Sequence, residues 1–120
     1  MKKNDIIYLQ HILDAILRIE SYLHKIDEET FYKYYLRQDG IIRQLEIIGE
    51  AVKNISNELR QKYPMIPWKG YAGMRDKLIH GYFGVDIEQV WIAAADDIPL
   101  LKKQIIQIVE ILSKEKGSLA

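Results

Sequence analysis

The chain has 120 residues and a mass of 14.1 kDa, enough for one domain with its own core, so we expect a single domain over residues 1–120. Its 17 basic and 17 acidic side chains cancel, which argues against a protein that holds nucleic acid through net charge alone. The absence of cysteine excludes disulfides, thiolate metal sites and cysteine nucleophiles. The sequence predicts neither a signal peptide nor a membrane span, so we expect a cytoplasmic protein without a membrane role.

The first half of the chain predicts two long helices separated by a short aromatic segment. The first should begin at an N-cap formed by Asn4 or Asp5 and carry an apolar stripe at helical spacing, made of Leu9, Ile12, Ile16, Ile19, Leu23 and Ile26. A polar break follows, in which Asp27 or Thr30 can cap residues 31–36. The second long helix is predicted from about Gln38 to Gln61, with a stripe made of Leu45, Ile48, Val52, Ile55 and Leu59.

The second half predicts one shorter helix and one more long one. The shorter helix should run from about Pro67 to His80, because proline suits a first helical turn. Two glycines end it within residues 81–86. The last helix should contain a kink or local break at Pro99 and end in a frayed tail over residues 114–120. Its stripe comprises Ile87, Val90, Ala94, Ile98, Leu101, Ile105, Ile108 and Leu112.

These elements predict an all-α fold, an antiparallel up-and-down bundle of three long helices with shorter helical segments. Several apolar residues lie outside the predicted stripes and exceed what a small bundle can bury. They therefore favour a homodimer; these residues are Ile6, Leu13, Leu17, Ile41, Ile47 and Ile106.

The charges are sorted along the chain although they cancel in sum. Residues 60–77 contain five basic residues and one acid, whereas residues 86–101 contain four acids and no base. One interpretation is a local basic patch that contacts RNA. The other, which composition alone favours, is a chance asymmetry between solvated helix faces.

The segment around Arg75, Asp76 and His80 combines side chains suited to phosphodiester chemistry. Arginine offers a charged planar fork for a phosphate, and histidine exchanges protons near neutral pH. Asp76 precedes His80 by four residues, so it can orient the ring or raise its pKa. Arg75 and His80, five residues apart, lie about 140° apart around a helix. They converge only if the helix end unwinds or two protomers share a cleft. An isolated pair of this kind is more often a solvated charge and a helix cap.

The wider sequence resembles the HepT family of the HEPN superfamily, whose motif has the form R-x4-H-x-Y. Arg75, His80 and Tyr82 fit this motif without a gap. Residues 47–56, 66–68 and 73–86 and the later VW and DIPLL segments are also similar and occur in the expected order. The resemblance thus covers nearly the whole chain and implies a HEPN-type helical bundle.

The resemblance implies a metal-independent endoribonuclease that needs no cofactor. In such an enzyme the RNA 2′-hydroxyl attacks the neighbouring phosphorus. His80 would then be the general acid and base, and Arg75 would hold the scissile phosphate. Asp76 stands where the superfamily often has asparagine, and its carboxylate would weakly repel phosphate.

The resemblance also implies a toxin–antitoxin pair of the HepT/MntA type. In such pairs a minimal nucleotidyltransferase, MntA, transfers AMP to the tyrosine of the motif, here Tyr82. The added charge and bulk would exclude RNA. Without this partner, Tyr82 would be an aromatic residue packed on the end of the bundle.

Other residues are weaker candidates. His11 and His24 lack metal-ligand spacing with His80, so no metal site is expected. Arg43 and Glu50 on the second helix can line a cleft opposite His80, although a solvated face with internal ion pairs is the usual role of such residues. The alternative function is a non-catalytic module of the same fold that binds RNA or a nucleotide, or docks the nucleotidyltransferase.

Overall fold

The computed structural model describes residues 4–74, 76 and 86–118, with side chains as far as residue 115. All regular structure in these ranges is helical, which confirms the all-α prediction. The long helices are α1 (Asn4–Leu23), α3 (Tyr35–Lys53) and α7 (Ile98–Ser118). The short ones are α2 (Glu28–Phe31), α4 (Asn57–Lys62), α5 (Trp68–Ala72) and α6 (Ile87–Ile92), and a π-helical segment, Ala93–Asp97, joins α6 to α7.

Helix α1 runs antiparallel to both other long helices, as contacts between helix ends show. Asp5 at the start of α1 bonds to Ser56 just beyond α3, whereas the Tyr22 ring near the end of α1 lies against Gly40 near the start of α3. Helix α7 also runs against α1, because Lys102 near its start pairs with Glu20 near the end of α1 at 2.8 Å. Helix α1 therefore runs in one direction, and both α3 and α7 run beside it in the opposite direction.

The predicted stripes form the core. Leu9 and Ile12 of α1, Leu45 of α3, and Leu101 and Ile105 of α7 have no accessible surface. Burial of a Leu or Ile side chain contributes about 1.5–3 kcal/mol. The helical spacing of these residues is therefore the main reason that the chain forms this bundle.

The structure corrects the predicted limits of the first helix. Asn4 and Asp5 both lie inside α1, and Asp5 is 1 % exposed rather than capping at the surface. The helix ends at Leu23, so Ile26 lies outside it. Lys25 has a φ of 59°, a left-handed conformation that a continuous helix does not accept. Of the two predicted caps, Asp27 is confirmed, since its carboxylate accepts a hydrogen bond from the Thr30 N–H at 2.8 Å. The helix that it caps is Glu28–Phe31, earlier than the predicted residues 31–36.

The second long helix is shorter than predicted and begins earlier. It starts at Tyr35 instead of Gln38 and ends at Lys53, and α4 then begins after Ser56. The Ser56 side chain caps α4 by accepting from the Leu59 N–H at 3.2 Å. The apolar spacing continues through this break, which explains why the sequence pattern predicted one helix instead of two.

The last helix contains the break that Pro99 predicts. Proline cannot donate a hydrogen bond to the carbonyl one turn earlier, and the turn that precedes it is the π-helical segment. Helix α7 continues to Ser118 and so includes most of the predicted tail, and the fraying of this end stays a prediction.

The apolar residues outside the predicted stripes differ in how far they are buried. Ile41 is fully buried, so it needs no partner chain, whereas Leu17 is 54 % exposed and Ile106 is 36 % exposed. Ile6, Leu13 and Ile47 are partly buried against the core. In the described part of the chain no helix is long and apolar enough to cross a membrane.

Candidate functional site

The R-x4-H-x-Y motif spans the gap between two described parts of the chain. Arg75, His80 and Tyr82 lie outside the described residues, so their predicted roles remain predictions. Of the candidates in this segment, only Asp76 is described; it is helical and exposed. The structure does show what holds the chain on both sides of the motif.

Helix α5 and Met74 hold the chain on the N-terminal side. The indole N–H of Trp68 donates to the Tyr63 carbonyl at 2.9 Å, which fixes the turn that precedes α5. Tyr71 and Met74 are buried. A side chain at Gly49 would place its Cβ 3.1 Å from the Tyr71 carbonyl oxygen, so this glycine lets α3 and α5 approach closely. The residue before Arg75 is therefore anchored in the core.

Asp86 fixes the chain on the C-terminal side. Its carboxylate accepts a hydrogen bond from the Gln89 N–H at 3.2 Å and caps α6. Val90, one turn into α6, is fully buried. The motif is thus bounded by a buried methionine at one end and a capped helix at the other.

A cavity of about 350 Å³ lies between these two anchors. Its walls come from α5, Met74, α6, the π-helical segment and α7. Gly70 and Tyr71 contribute from α5, Gln89 from α6 and Gln104 from α7. Met74, the residue before Arg75, lines the cavity.

The polar groups around this cavity differ in their hydrogen bonding. The Tyr71 hydroxyl donates to the Asp97 carbonyl at 3.4 Å, a long contact. Burial, with the nearby Asp97 charge, raises the pKa of Tyr71 to about 12, so its hydroxyl stays protonated at neutral pH. The Gln104 Oε1 is shielded from solvent and has no hydrogen-bond partner among the described residues.

The two supporting candidates lie on a separate face. Arg43 pairs with Glu46 at 3.7 Å, and Glu50 pairs with Lys53 at 3.5 Å, as expected for internal ion pairs of an exposed helix face. Both Arg43 and Glu50 line a shallow depression between α1 and α3. They do not line the cavity beside Met74, and their predicted position opposite His80 stays a prediction.

The basic stretch, residues 60–77, is less available for contact with RNA than its composition suggested. Arg60 is partly buried, and its Nη2 donates to the Val52 carbonyl at 2.6 Å. This bond caps the end of α3, so Arg60 stabilises the fold instead of forming part of an open patch. The described residues contain no group of three or more side chains suited to holding a metal ion.

Sequence reasoning missed the cavity. Its polar residues come from three helices and the π-helical segment and follow no motif spacing; they are Tyr71, Gln89, Asp97 and Gln104. The one available signal is Gln104, a polar residue between the apolar positions Leu101 and Ile105. Many surface glutamines share that setting, so the signal is weak.

Comparison with known proteins gives a consistent family. The family model described as Ribonuclease HepT-like matches residues 12–108, which include the whole R-x4-H-x-Y segment. A protein of Methanocaldococcus jannaschii named "gamma-glutamylcyclotransferase and putative RNase" is 48 % identical over 118 residues, 98 % of this chain. The chain spans only 53 % of that relative's length.

Two further relatives match over nearly their whole length. The "probable ribonuclease HepT" of Thermococcus cleftensis is 48 % identical over 85 % of this chain and 93 % of its own. A "putative RNase" of Caldanaerobacter subterraneus subsp. tengcongensis is 47 % identical over 91 % of this chain and 95 % of its own. No solved structure gives a significant match. From the family match and these identities, the chain belongs to the HepT-like ribonuclease family.

Proposed function

We propose that this protein is an endoribonuclease whose catalytic residues are Arg75 and His80. The observation that carries the proposal is the family match over residues 12–108, within which Arg75, His80 and Tyr82 keep the R-x4-H-x-Y spacing. The anchors at Met74 and Asp86 support it, because they fix the chain on both sides of the motif.

The proposed reaction is an intramolecular transfer at phosphorus. His80 removes the proton of the RNA 2′-hydroxyl, and the 2′-oxygen forms a bond to the adjacent phosphorus. The bond from phosphorus to the 5′-oxygen of the next nucleotide breaks, and that oxygen takes a proton as it leaves. Arg75 stabilises the charge that develops on the phosphate oxygens. Because the RNA supplies the nucleophile, the reaction needs neither a metal ion nor a cofactor.

The proposal includes control by a partner enzyme. In a toxin–antitoxin pair, an MntA-type nucleotidyltransferase would transfer AMP from ATP to Tyr82. The phenol oxygen bonds to the α-phosphorus and pyrophosphate leaves. A phenol with an ordinary pKa of about 10 is protonated at neutral pH, so the attack needs the transferase. The new phosphate would repel RNA from the site.

We also propose that the active form is a homodimer. Leu17 and Ile106 leave apolar surface exposed on α1 and α7, which a second copy can cover. A shared cleft would also bring together Arg75 and His80, which lie on different faces of an ideal helix. Sedimentation should give about twice 14.1 kDa at micromolar concentration; a monomer that still cleaves RNA would contradict the shared cleft.

The decisive experiment is RNA cleavage in the presence of a chelator. The wild-type protein should cleave, and His80→Ala should lose activity by about 10²–10⁴-fold with unchanged helical content. Arg75→Ala should also lose activity, whereas Tyr82→Phe should keep it and gain no mass when incubated with the transferase and ATP. A wild-type protein that binds RNA without cleaving it would support the binding module, which the zero net charge mildly favours.

A further inference from the structure

Helices α1 and α7 have a common outer surface with an open apolar cavity. The cavity has a volume of about 530 Å³, and Leu23, Ile98 and Ile106 are among the residues that line it. Ile106 is 36 % exposed, and Leu17 on α1 is 54 % exposed. Exposed apolar side chains that adjoin one another are typical of a surface that a partner covers.

Helical spacing places most of the apolar residues outside the predicted stripes on this surface. Glu20 marks the side of α1 that meets α7, because its carboxylate pairs with a lysine of α7 at 2.8 Å. Three of these apolar residues lie within about 60° of Glu20 around α1, at about 100° per residue; they are Ile6, Leu13 and Leu17. Glu20 and Ile106 line the same cavity. These three residues and Ile106 therefore form one surface, the α1–α7 face.

Two charged residues flank Ile106 on the same side of α7. Lys103 precedes Ile106 by three residues and Glu110 follows it by four, so all three lie within about 60° around the helix. Lys103 and Glu110 are both exposed, and neither belongs to an ion pair within the described part of the chain. Lys102 differs from them, because Glu20 of the same chain neutralises its charge.

The order of the three residues on α7 is complementary to itself. A basic residue lies about 4.5 Å before Ile106 along the axis and an acidic one about 6 Å after it. When two α7 helices cross near Ile106 in antiparallel orientation, Lys103 of each copy faces Glu110 of the other. A parallel pair would place lysine against lysine, and like charges at a contact oppose association. The charges therefore fit a second copy of this chain in one orientation.

We infer that the α1–α7 face is the dimer interface, and that two copies meet along α7 in antiparallel orientation with two Lys103–Glu110 ion pairs. The inference rests on the homodimer of the proposed function and names its contact surface. Ile106 lies at the centre, where apolar contact excludes water, and the ion pairs beside it set the register. A twofold axis makes each contact occur twice, so one substitution acts at two places.

Charge reversal in the full-length protein tests the register, with the dimer dissociation constant measured by sedimentation equilibrium. Lys103→Glu and Glu110→Lys each replace both ion pairs by like-charge contacts, so each should raise the constant about tenfold. An equal mixture of the two variants has opposite charges at both contacts, because one copy carries two acids and the other two bases. The mixture should therefore associate within about twofold of the wild-type affinity.

Two isoleucines of α7 form a matched pair that tests the choice of face. Ile106→Glu should raise the dissociation constant about 100-fold or more, because the contact would bury two carboxylates without partners. Ile111 is 42 % exposed, similar to Ile106, but it lies about 140° away around the helix. Ile111→Glu should therefore change the constant by less than about twofold. Leu17→Glu tests the same face from α1 and decides if Ile106→Glu fails to fold.

The results separate this interface from the ribonuclease activity. A mixture that associates no more tightly than its components would overturn the antiparallel register. Equal or greater weakening by Ile111→Glu than by Ile106→Glu would overturn the choice of face. A monomeric wild-type protein that cleaves RNA would overturn the interface and retain the ribonuclease. A wild-type dimer that passes both tests without cleaving RNA would retain the interface and contradict the ribonuclease.

Discussion

The two ends of the bundle differ in whether their buried polar groups have hydrogen-bond partners. At the junction of α1, α3 and α4, both carboxylate oxygens of Asp5 are used. They accept from the Ser56 N–H at 2.8 Å and from its hydroxyl at 2.6 Å, and the same serine caps α4. Around the cavity, the Gln104 Oε1 has no partner in the described structure and the Tyr71 hydroxyl makes only a long contact.

A paired and an unpaired buried polar group have different effects on the free energy of unfolding. A buried carboxylate with two donors stabilises a particular chain path, here one that joins residues 51 positions apart. A buried acceptor without a donor costs free energy in the folded protein. The satisfied end therefore holds the fold, whereas the Gln104 Oε1 lowers the stability of the other end. The satisfied end has one exception, because the Arg60 Nε also lacks a partner in the described structure.

The largest expected effect on the free energy of unfolding is at the Asp5–Ser56 contact. Asp5→Ala removes both hydrogen bonds to Ser56 and leaves its N–H and hydroxyl without their acceptor. We expect a loss of about 3 kcal/mol in the free energy of unfolding, measured by urea denaturation. Asp14→Ala, at an exposed position of the same helix, should change it by less than about 0.5 kcal/mol. Equal effects of the two substitutions would remove the contrast.

A pair of glycine substitutions compares a tightly packed position with a position at the cavity. A Cβ at Gly40 would lie 2.7 Å from the Tyr22 ring, so Gly40→Ala should lower stability by about 1–3 kcal/mol. Gly70→Ala meets open space and should raise stability by about 0.5–1 kcal/mol through helix propensity.

The measurement for this pair is the melting temperature of each variant. Tyr22→Leu should relieve part of the Gly40→Ala defect in the double variant, because it removes the ring that the new methyl meets. Two alanine variants that change stability in the same direction would show that packing does not distinguish the two glycine positions.

Gln104→Leu should stabilise the protein without ligand. The substitution removes an unpartnered buried oxygen and adds apolar contact, for a gain of about 1 kcal/mol. Gln107→Leu should leave stability within about 0.5 kcal/mol of wild type. Chemical denaturation without RNA measures both. A destabilised Gln104→Leu would mean that the amide has a structural partner.

The smallest expected effect is a dependence of the free energy of unfolding on pH above neutrality. The folded pKa of Tyr71 is about 12, above its ordinary value of 10.0, so the folded state keeps a proton that the unfolded state loses between these values. Stability should therefore be intact below pH 10 and fall as pH rises toward 12. Tyr71→Phe should make this fall shallower between about pH 10 and about pH 12 in urea denaturation.

Tyr32 supplies the control for this titration. Its hydrogen bond to Glu28 raises its pKa to about 12 as well, so Tyr71→Phe should reduce the alkaline loss of stability without abolishing it. Tyr32→Phe should remove a further part. An unchanged slope in Tyr71→Phe would contradict the assignment of the raised pKa to burial at the cavity.

The sequence predicted the parts of the fold that depend on local periodicity. The stripes of α1, α3 and α7 follow from helical spacing, and Asp27 follows from cap chemistry. The end of α3 could not be predicted in this way, because the apolar spacing continues through Ile55. What ends the helix is the Asp5–Ser56 contact, which forms only after folding.

The candidate site was likewise predictable only where its residues are close in sequence. Arg75, His80 and Tyr82 were found because their spacing is a family motif, and the family match is consistent with it. The cavity beside them depends on Gly70 and Gln104, which come from different helices and share no local pattern. Periodicity and motifs describe neighbours along the chain, whereas a cavity wall is assembled across it.

The π-helical turn before Pro99 affects how the chain tolerates changes in length. A π turn accommodates one extra residue locally, so deletion of one residue from Ala93–Asp97 should give an ordinary α turn and leave the core face of α7 in register. The same deletion at Lys103 would rotate the rest of α7 by about 100° and turn Ile105 and Ile108 away from the core. Natural relatives that vary in length along α6 and α7 should therefore do so at this turn, where the wall of the cavity also changes.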